Sequence, residues 1–250
     1  MKDARDNLII ELLRNQEYAM VEEIAEKLYC SPSTVRRRLA NLQTRGLVVR
    51  THGGAALNQS DAVVEDFTYR KDRNAVGKRK IALEAAKLIK EGDVIFLDDS
   101  STVFYMVPYI AEFKNVQVFT NGVDTLSMLC KFNVKAYSTG GEVDETNRSA
   151  LIGEFAERTV ENVFFDLMFF ANQCVNENGV ITDCSTQGNV LRRKAIKNSK
   201  QKIFLCDFEK FGKTSVFKTC DVSEVDCIIS DKPITNFIKR EDMPKVVFVE

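Results

Sequence analysis

A single histidine serves the whole chain of 250 residues, and the seven cysteines lie scattered with no C-x-x-C pair. Zinc sites of ordinary spacing draw on clustered Cys and His, so no metal is expected, and no cofactor. Reduced cysteines packed as small apolar residues are the reading that remains. No apolar run approaches the roughly 20 residues of a membrane-crossing helix, and no membrane partner is expected. The opening residues, Met1-Lys2-Asp3-Ala4-Arg5-Asp6, carry acids at once and lack the pattern of a secretory leader, which points to a cytoplasmic protein. Net charge is −1, too small to draw a polyanion to the molecule as a whole. Neither an internal repeat nor a low-complexity tract interrupts the sequence.

One absence is local. From Arg36 to Arg50 there are five arginines and no acid. Salt screens distant carboxylates within about 10 Å, so DNA would respond to this patch rather than to the net charge. The patch sits in a recognisable order of elements. Residues 3–15 place Leu8, Ile9, Leu12 and Leu13 at helical spacing, with Asp3 available as cap. A second helix over residues 21–28 turns Ile24, Ala25 and Leu28 inward, and Tyr29-Cys30 makes a turn. Ser31 then caps a third helix, with Pro32 at its first position, where the missing N–H costs nothing. Val35, Leu39 and Leu42 form its buried stripe.

This is the shape of a winged helix-turn-helix, with a wing between Gly46 and Gly53-Gly54. An arginine fork suits the O6 and N7 of guanine in the major groove, which makes Arg36, Arg37 and Arg38 candidate readers. Ser31, Ser33 and Thr34 at the helix start suit phosphate, and Arg50 and His52 belong to the wing. The bland alternative is a solvated cationic face on an ordinary helix. The domain boundaries expected are residues 1–57 for DNA binding, 58–74 for a linker and 75–250 for a second domain.

In that second domain, strands alternate with helices. The run D-V-I-F-L over residues 93–97 ends in Asp98-Asp99-Ser100-Ser101-Thr102. Residues 116–119 lead into Thr120-Asn121-Gly122, and residues 134–138 into Thr139-Gly140-Gly141. Residues 163–171 and 202–206 are further buried-strand candidates, the second ending in Asp207. Helical stretches over 78–90 and 123–131 intervene. The class expected is α/β with a mostly parallel sheet, whose ligands bind beyond the strand ends. N–H groups and hydroxyls at Ser100, Ser101 and Thr102 suit a phosphate. Asp98 and Asp207 could accept bonds from sugar hydroxyls, Lys210 could balance charge, and Gly140 and Gly141 would let backbone approach a ligand.

Two groups of residues together resemble the DeoR family of bacterial transcription regulators. Over residues 5–56 the family pattern has an R-R-D-L recognition helix and a wing reading G-x-x-x-R-x-H-G-G-A. Here these are Arg36-Arg37-Arg38-Leu39, then Gly46, Arg50, His52, Gly53, Gly54 and Ala55, with Arg38 standing at the family's Asp. Over residues 67–231 the matching elements are Phe67-x-x-Arg70, Lys78-x-x-Ile81-Ala82, Gly92-Asp93, Thr120-Asn121, Gly140-Gly141, Gly153, Asp166, Gly179 and Asp207-x-x-Lys210-Phe211-Gly212. Three departures stand out. Ser100 occupies the Gly of D-x-G-T-T, Ala171-Asn172-Gln173-Cys174 replaces G-x-x-G, and Gly188 and Arg192 replace the ends of E-x-x-x-K.

The resemblance implies a C-terminal domain related to ribose-5-phosphate isomerase and coenzyme A transferases. It also implies a phosphorylated sugar or similar anion as effector, with Thr120, Asn121 and Arg192 added to the site. The function implied is a non-enzymatic regulator, a repressor of a carbohydrate-utilisation operon. Its partner would be double-stranded operator DNA, read by a homo-oligomer, dimer or tetramer, on paired half-sites. Two rivals stand beside it. One is a sugar-phosphate isomerase-like enzyme carrying a DNA-binding domain, with Asp98, Asp99, Glu142 or Asp207 as base. The other is a ligand-independent DNA-binding protein.

Overall fold

The computed structural model describes residues 2–16, 18–44, 46–57, 66–234, 237–238 and 241–249. The expected linker residues 58–65 lie outside that set. The chain divides into two compact units, Met1–Asp66 and Phe67–Glu250.

The first unit runs α1 (Lys2–Gln16), β1 (Tyr18–Met20), α2 (Val21–Lys27), α3 (Pro32–Thr44), β2 (Val48–Thr51) and β3 (Gly54–Leu57). Its core is Ile9, Ile10 and Leu13 of α1 against Ile24, Val35, Leu39 and Leu42. Leu8, expected on the buried stripe, is half exposed, because Ile10 completes the inward face one residue further round. Asp3 falls within the first turn of α1 rather than before it. Ser31 accepts the Thr34 amide at 3.3 Å, which fixes the start of α3. Strands β2 and β3 pair antiparallel from Val48↔Leu57 to Thr51↔Gly54. The chain reverses through His52-Gly53, with Gly53 at φ +88°, a region open to glycine at little cost. β1 adds on the other side of β3, giving the order β1-β3-β2.

The second unit opens with α4 (Phe67–Asp72), helical although the sequence assigned it to the linker, and α5 (Ala75–Ala86). Phe67 is buried and meets the Phe104 ring edge-on at 5.5 Å. There follow β4 (Val94–Leu97), α6 (Ser101–Phe104), α7 (Val107–Ile110), β5 (Gln117–Thr120), α8 (Val123–Lys131) and β6 (Ala136–Ser138). A small hairpin, β7 (Glu142–Val143) and β8 (Leu151–Ile152), precedes α9 (Glu154–Glu161) and β9 (Phe165–Phe170). The chain continues with β10 (Cys174–Val175), β11 (Val180–Asp183), α10 (Thr186–Lys197), β12 (Ser199–Cys206), β13 (Phe217–Asp221), β14 (Cys227–Ser230) and β15 (Lys245–Phe248).

Seven strands form one sheet in the order β15-β14-β12-β9-β4-β5-β6, and every pairing in it is parallel. Such a sheet is covered on both faces, so its central strands are apolar throughout. In β9, Leu167 and Phe169 enter the core beneath α5 to α8, while Met168 and Phe170 enter the opposite core with Leu191 and Ala195 of α10. An antiparallel sheet, β10-β11-β13, stands apart from the main one. From β4 the chain builds outward to β5 and β6, then returns to the other side of β4 as β9. The switch therefore falls between β4 and β9. Their carboxyl ends are Asp98-Asp99 and Ala171-Asn172, and that crevice is where open parallel sheets take ligands. Cys174, Cys206, Cys220 and Cys227 are buried as small apolar residues, whereas Cys130 is exposed.

Candidate functional sites: a cationic helix and a strand-end cluster

On α3 the three arginines have three different situations. Arg37 is exposed and has no ion-pair partner among the described residues. Arg36 is also exposed, but its Nη2 lies 3.1 Å from Glu22 of α2. The patch is therefore not free of acid in space, although it is in sequence. Arg38 turns inward. Its Nη1 meets Asp6 of α1 at 2.7 Å, with 16% and 12% of the two side chains exposed. The cause is helical spacing: 35, 38, 39 and 42 are i, i+3, i+4 and i+7, one face of the helix, and Arg38 completes the stripe of Val35, Leu39 and Leu42. The expectation that Arg38 reads DNA is corrected accordingly, for it pins α3 to α1. At the helix start the Ser31 hydroxyl is 2.9 Å from both the Ser33 and Thr34 hydroxyls. Arg50 on β2 and His52 at the hairpin tip are exposed.

At the sheet's switch point a buried knot of charge closes over the end of β4. The Arg192 guanidinium, 7% exposed, reaches from α10 to Asp98 at 3.0 Å, Asp99 at 2.9 Å and Asp183 at 3.4 Å. Each carboxylate has further donors. Asp98 accepts the amides of Ser100 at 3.0 Å and Ala171 at 3.2 Å. Asp99 accepts Asn147 Nδ2 at 2.7 Å and Asn121 Nδ2 at 3.4 Å. Asp183 accepts the Ser185 amide at 3.0 Å and Asn172 Nδ2 at 3.3 Å. Burial raises the Asp98 pKa despite Arg192. Burial acts upward on Asp99 as well, but Arg192 and then Arg70 outweigh it and hold that carboxyl low. Burial opposes the charge of Arg192, and the three aspartates more than restore it.

Beside the knot lies a second, cationic group. Lys78 of α5 is 3% exposed. Its ammonium donates to Ser101 Oγ at 3.0 Å and to the Arg70 carbonyl. Burial, then the charge of Lys210, lower its pKa to about 7. Lys210 is 3.7 Å from Asp207, three residues before it. Arg70 of α4 donates to Asn147 Oδ1 at 3.1 Å, which ties α4 to the knot.

Several polar atoms here are buried without a hydrogen-bond partner among the described residues: Thr102 Oγ1, Asn121 Oδ1 and Asn172 Oδ1. They stand at the ends of β4, β5 and β9 respectively. Burying such an atom unpaired costs roughly 1–3 kcal/mol, so each of the three calls for a bonding partner.

The structure thus brings Asp98, Ser101, Thr102, Asn121 and Arg192 together and sets Asp207 and Lys210 beside Lys78. Other expected roles change. Ser100 is the N-cap of α6, its hydroxyl accepting the Val103 amide at 3.3 Å. Thr120 Oγ1 accepts the Gly122 amide at 2.9 Å. Arg192, expected to balance a phosphate, is surrounded by three carboxylates of the protein itself. Gly141, at φ +102°, serves packing rather than ligand approach, since a Cβ there would lie 2.3 Å from the Ile152 carbonyl oxygen. Gly140, at φ +68°, is exposed, and its amide donates to Ser138 Oγ at 3.0 Å. Among site residues the sequence reading passed over are Lys78, Arg70, Asn147, Asn172 and Asp183. Lys78 carried a signal: it shares the core face of α5 with Ile81 and Ala82 at i+3 and i+4, an odd place for a lone cation.

Comparison with known proteins agrees with both units. A DeoR-like helix-turn-helix domain matches residues 5–61, and a DeoR C terminal sensor domain matches residues 73–232. The chain is 34% identical over 237 residues to the L-fucose operon activator of Haemophilus influenzae, covering 94% of each. It is 28% identical over 230 residues to the glycerol-3-phosphate regulon repressor of Escherichia coli, covering 92% of this chain and 90% of the other. Among solved structures it is similar to ribose 5-phosphate isomerase A from Methanocaldococcus jannaschii, at 17% identity and TM-score 0.42 over 55% of each chain. With a helix-turn-helix and a sensor domain matched in order along one polypeptide, the chain belongs to the DeoR family of transcriptional regulators.

Proposed function

We propose that this regulator is a repressor of a carbohydrate-utilisation operon whose grip on operator DNA is set by a phosphorylated sugar or related anion. The observation that carries the effector reading is the crevice between β4 and β9. At and beside it, among the described residues, are a buried lysine hydrogen-bonded to neutral acceptors and three buried polar atoms without partners. A ligand bearing one anionic group and several hydroxyls answers both. Ser101, Thr102 and Lys78 face the anionic end, with Lys210 adding charge. Asn121, Asn172 and Asp207 face hydroxyls. The relatives support a carbon-source role, being named for fucose and glycerol 3-phosphate regulons. Arg36 and Arg37, Ser33 and Thr34, and the wing residues Arg50 and His52 contact operator DNA. The protein works in the cytoplasm as a homo-oligomer, because one short recognition helix spans too few base pairs to select a unique operator.

A ligand that prefers the non-binding conformation weakens DNA affinity, and DNA weakens ligand affinity by the same factor. Asp98 and Asp99 are tied to Arg192 and to backbone or amide donors, which disfavours either as a general base. Fluorescence anisotropy of an upstream DNA fragment tests this reading. The fragment is titrated with the full chain, with and without a panel of phosphorylated sugars. At least one sugar phosphate should shift the DNA titration, and none should be turned over. Sugar phosphates that leave the titration unmoved, or that are isomerised, refute it.

A further inference from the structure

We propose that residues 67–74 form a strap over the effector crevice, and that this strap carries effector occupancy to the DNA-binding unit. The proposal rests on the effector reading above and adds to it the element that transmits the signal. The strap is α4 with the turn Arg73-Asn74 after it, and it opens the second unit directly after Asp66, the last residue of the first. It is fastened on several sides at the carboxyl edge of the sheet. On the β4 side, Phe67 meets Phe104 edge-on at 5.5 Å, and the Lys71 carbonyl accepts the Tyr105 hydroxyl at 3.1 Å. Arg70 donates at 3.1 Å to Asn147 Oδ1, in the loop of the β7–β8 hairpin. Arg73 pairs with Glu209 after β12, and Asn74 Nδ2 donates at 2.7 Å to Asp231 after β14.

The order of the strands turns these contacts into a path. In the sheet, β14, β12, β9 and β4 are consecutive neighbours. A segment fastened beyond β14 and β12 at one end and beside β4 at the other bridges the end of β9. That is the switch point, with Asp98-Asp99 on one lip and Ala171-Asn172 on the other. The length agrees. Strand spacings of about 4.8 Å put β14 and β4 about 14 Å apart. The six-residue helix α4 is about 9 Å long, and the turn after it supplies the rest.

Hydrogen bonds lead from the crevice to the strap by separate routes, and both end on Arg70. Lys78, which faces the anionic end of the effector, donates to Ser101 Oγ at 3.0 Å and to the Arg70 carbonyl. An anion on Ser101 and Thr102 therefore shares its cation with the strap backbone. Asn121, whose Oδ1 has no partner among the described residues, donates to Asp99 at 3.4 Å, and Asp99 accepts Asn147 Nδ2 at 2.7 Å. The Oδ1 of that same Asn147 accepts the Arg70 guanidinium. A hydroxyl bound by Asn121 acts on this chain from its far end. Bonds in such chains reinforce one another, so an occupied crevice fastens the strap more firmly than an empty one. The strap is built to respond. Apart from Phe67 its residues are half-buried or exposed, and its fastenings are side-chain contacts rather than a strand ladder. Segments of this kind open at a lower free energy than the core they lie on. The effector shifts DNA binding by as much as it favours the seated strap, and the seated strap belongs to the state that releases DNA.

The test compares the full wild-type chain with two variants. Arg70→Met keeps a side chain over the Phe67 ring and cannot bond Asn147. The double variant Tyr105→Phe/Glu209→Gln loosens the strap on both sides of the crevice and changes no group that faces the effector. The probes are inorganic phosphate, glycerol 3-phosphate, glucose 6-phosphate and fructose 1-phosphate. Calorimetry gives probe affinity, anisotropy of the upstream DNA fragment gives DNA affinity, and hydrogen exchange follows the strap. At saturation, a probe should change wild-type DNA affinity by about 5–150-fold and slow amide exchange over residues 68–74. Without probe, both variants should bind DNA as tightly as the wild type or more so. With saturating probe, Arg70→Met should shift by less than about twofold, and the double variant by less than half the wild-type factor. A folded variant that binds the probe and keeps the wild-type shift overturns the strap and leaves the effector reading standing. So does exchange over residues 68–74 that is unmoved by a probe that shifts DNA binding. If no probe shifts the wild-type titration, the effector reading itself falls and the strap with it. Circular dichroism identifies the folded variants, and the double variant, which keeps ring and chain length, decides should Arg70→Met fail to fold.

Discussion

Changing Arg192 to methionine removes one positive charge from beneath three buried carboxylates while keeping most of the side-chain volume. Breaking a buried ion pair from one side typically costs about 3–5 kcal/mol. Here the residual donors moderate the loss. Asp98 keeps two backbone amides, Asp99 keeps Asn147 and Asn121, and Asp183 keeps Ser185 and Asn172. The net effect should stay within that range of about 3–5 kcal/mol, which for a unit of this size lowers its melting temperature by about 6–20 °C. Arg192→Lys should fall between, because a point charge cannot span three carboxylates as a planar fork does.

The pH dependence carries a sign. With Arg192 gone, burial outweighs the hydrogen bonds that remain and, at Asp99, the charge of Arg70, so the folded-state pKa values of Asp98 and Asp99 rise. Carboxyls raised in this way are tolerated below their unfolded pKa of about 4 and destabilise as pH rises through the folded value. The deficit should therefore be largest at pH 7–8 and shrink toward pH 5. Urea unfolding of the full chain followed by circular dichroism, with the two units' transitions fitted separately, measures it. A variant within about 1 kcal/mol of wild type at pH 7, or a deficit that grows on acidification, refutes the reading of Arg192 as the counter-charge of the knot.

Three further outcomes follow from named contacts. Arg37→Ala should weaken operator binding by about 1–3 kcal/mol. Arg36→Ala should cost less, because Arg36 must share its charge with Glu22 at 3.1 Å; equal losses in anisotropy titrations would deny that difference. Arg38→Ala should lower the stability of the first unit by about 1–3 kcal/mol through loss of the Asp6 pair. Asp6→Ala should do the same, and below the melting transition both variants should keep wild-type operator affinity. Gly141→Ala should destabilise the second unit by at least about 2 kcal/mol. Its Cβ meets the Ile152 carbonyl oxygen at 2.3 Å with φ at +102°, and an unchanged melting curve would count against that close approach.

How much of this was readable in advance depends on how local each cause is. The cap at Ser31, the stripe at Val35, Leu39 and Leu42 and the glycine-bounded wing are all short-range, and the first unit follows them closely. Arg38 was misread although the information was present. Three consecutive arginines look like one patch, and only the i, i+3, i+4, i+7 spacing tells that the third belongs to the buried face. The strands that turn to Asp98, Thr120, Thr139 and Asp207 were legible because each apolar run ends abruptly in polar residues. The hairpin β7–β8 has two residues per strand, too few for an alternation to show. The pairing of Arg192 with Asp98, Asp99 and Asp183 could not be found by pattern. Asp98 and Asp183 lie 94 and 9 positions from it, and only the return of the chain across β4 brings α10 over the end of that strand.

The departures from the family pattern make sense together rather than one by one. In E-x-x-x-K the glutamate stands one turn before the lysine on the same helix face, so the two can satisfy each other locally. Here the first position is Gly188. A Cβ there would already lie 2.9 Å from Ser185 Oγ and 3.5 Å from Arg192 Nη1, so a longer side chain would press on the guanidinium. Glycine removes both the local acid and the crowding. Arginine, longer than lysine and forked, then reaches past its own helix to the two aspartates after β4 and to Asp183. Ser100 fits the same change: it gives up the conformational freedom of glycine for a hydroxyl that caps α6 and stiffens the loop carrying both aspartates. The charge of Arg192 is thus consumed within the protein, by the three carboxylates that surround it.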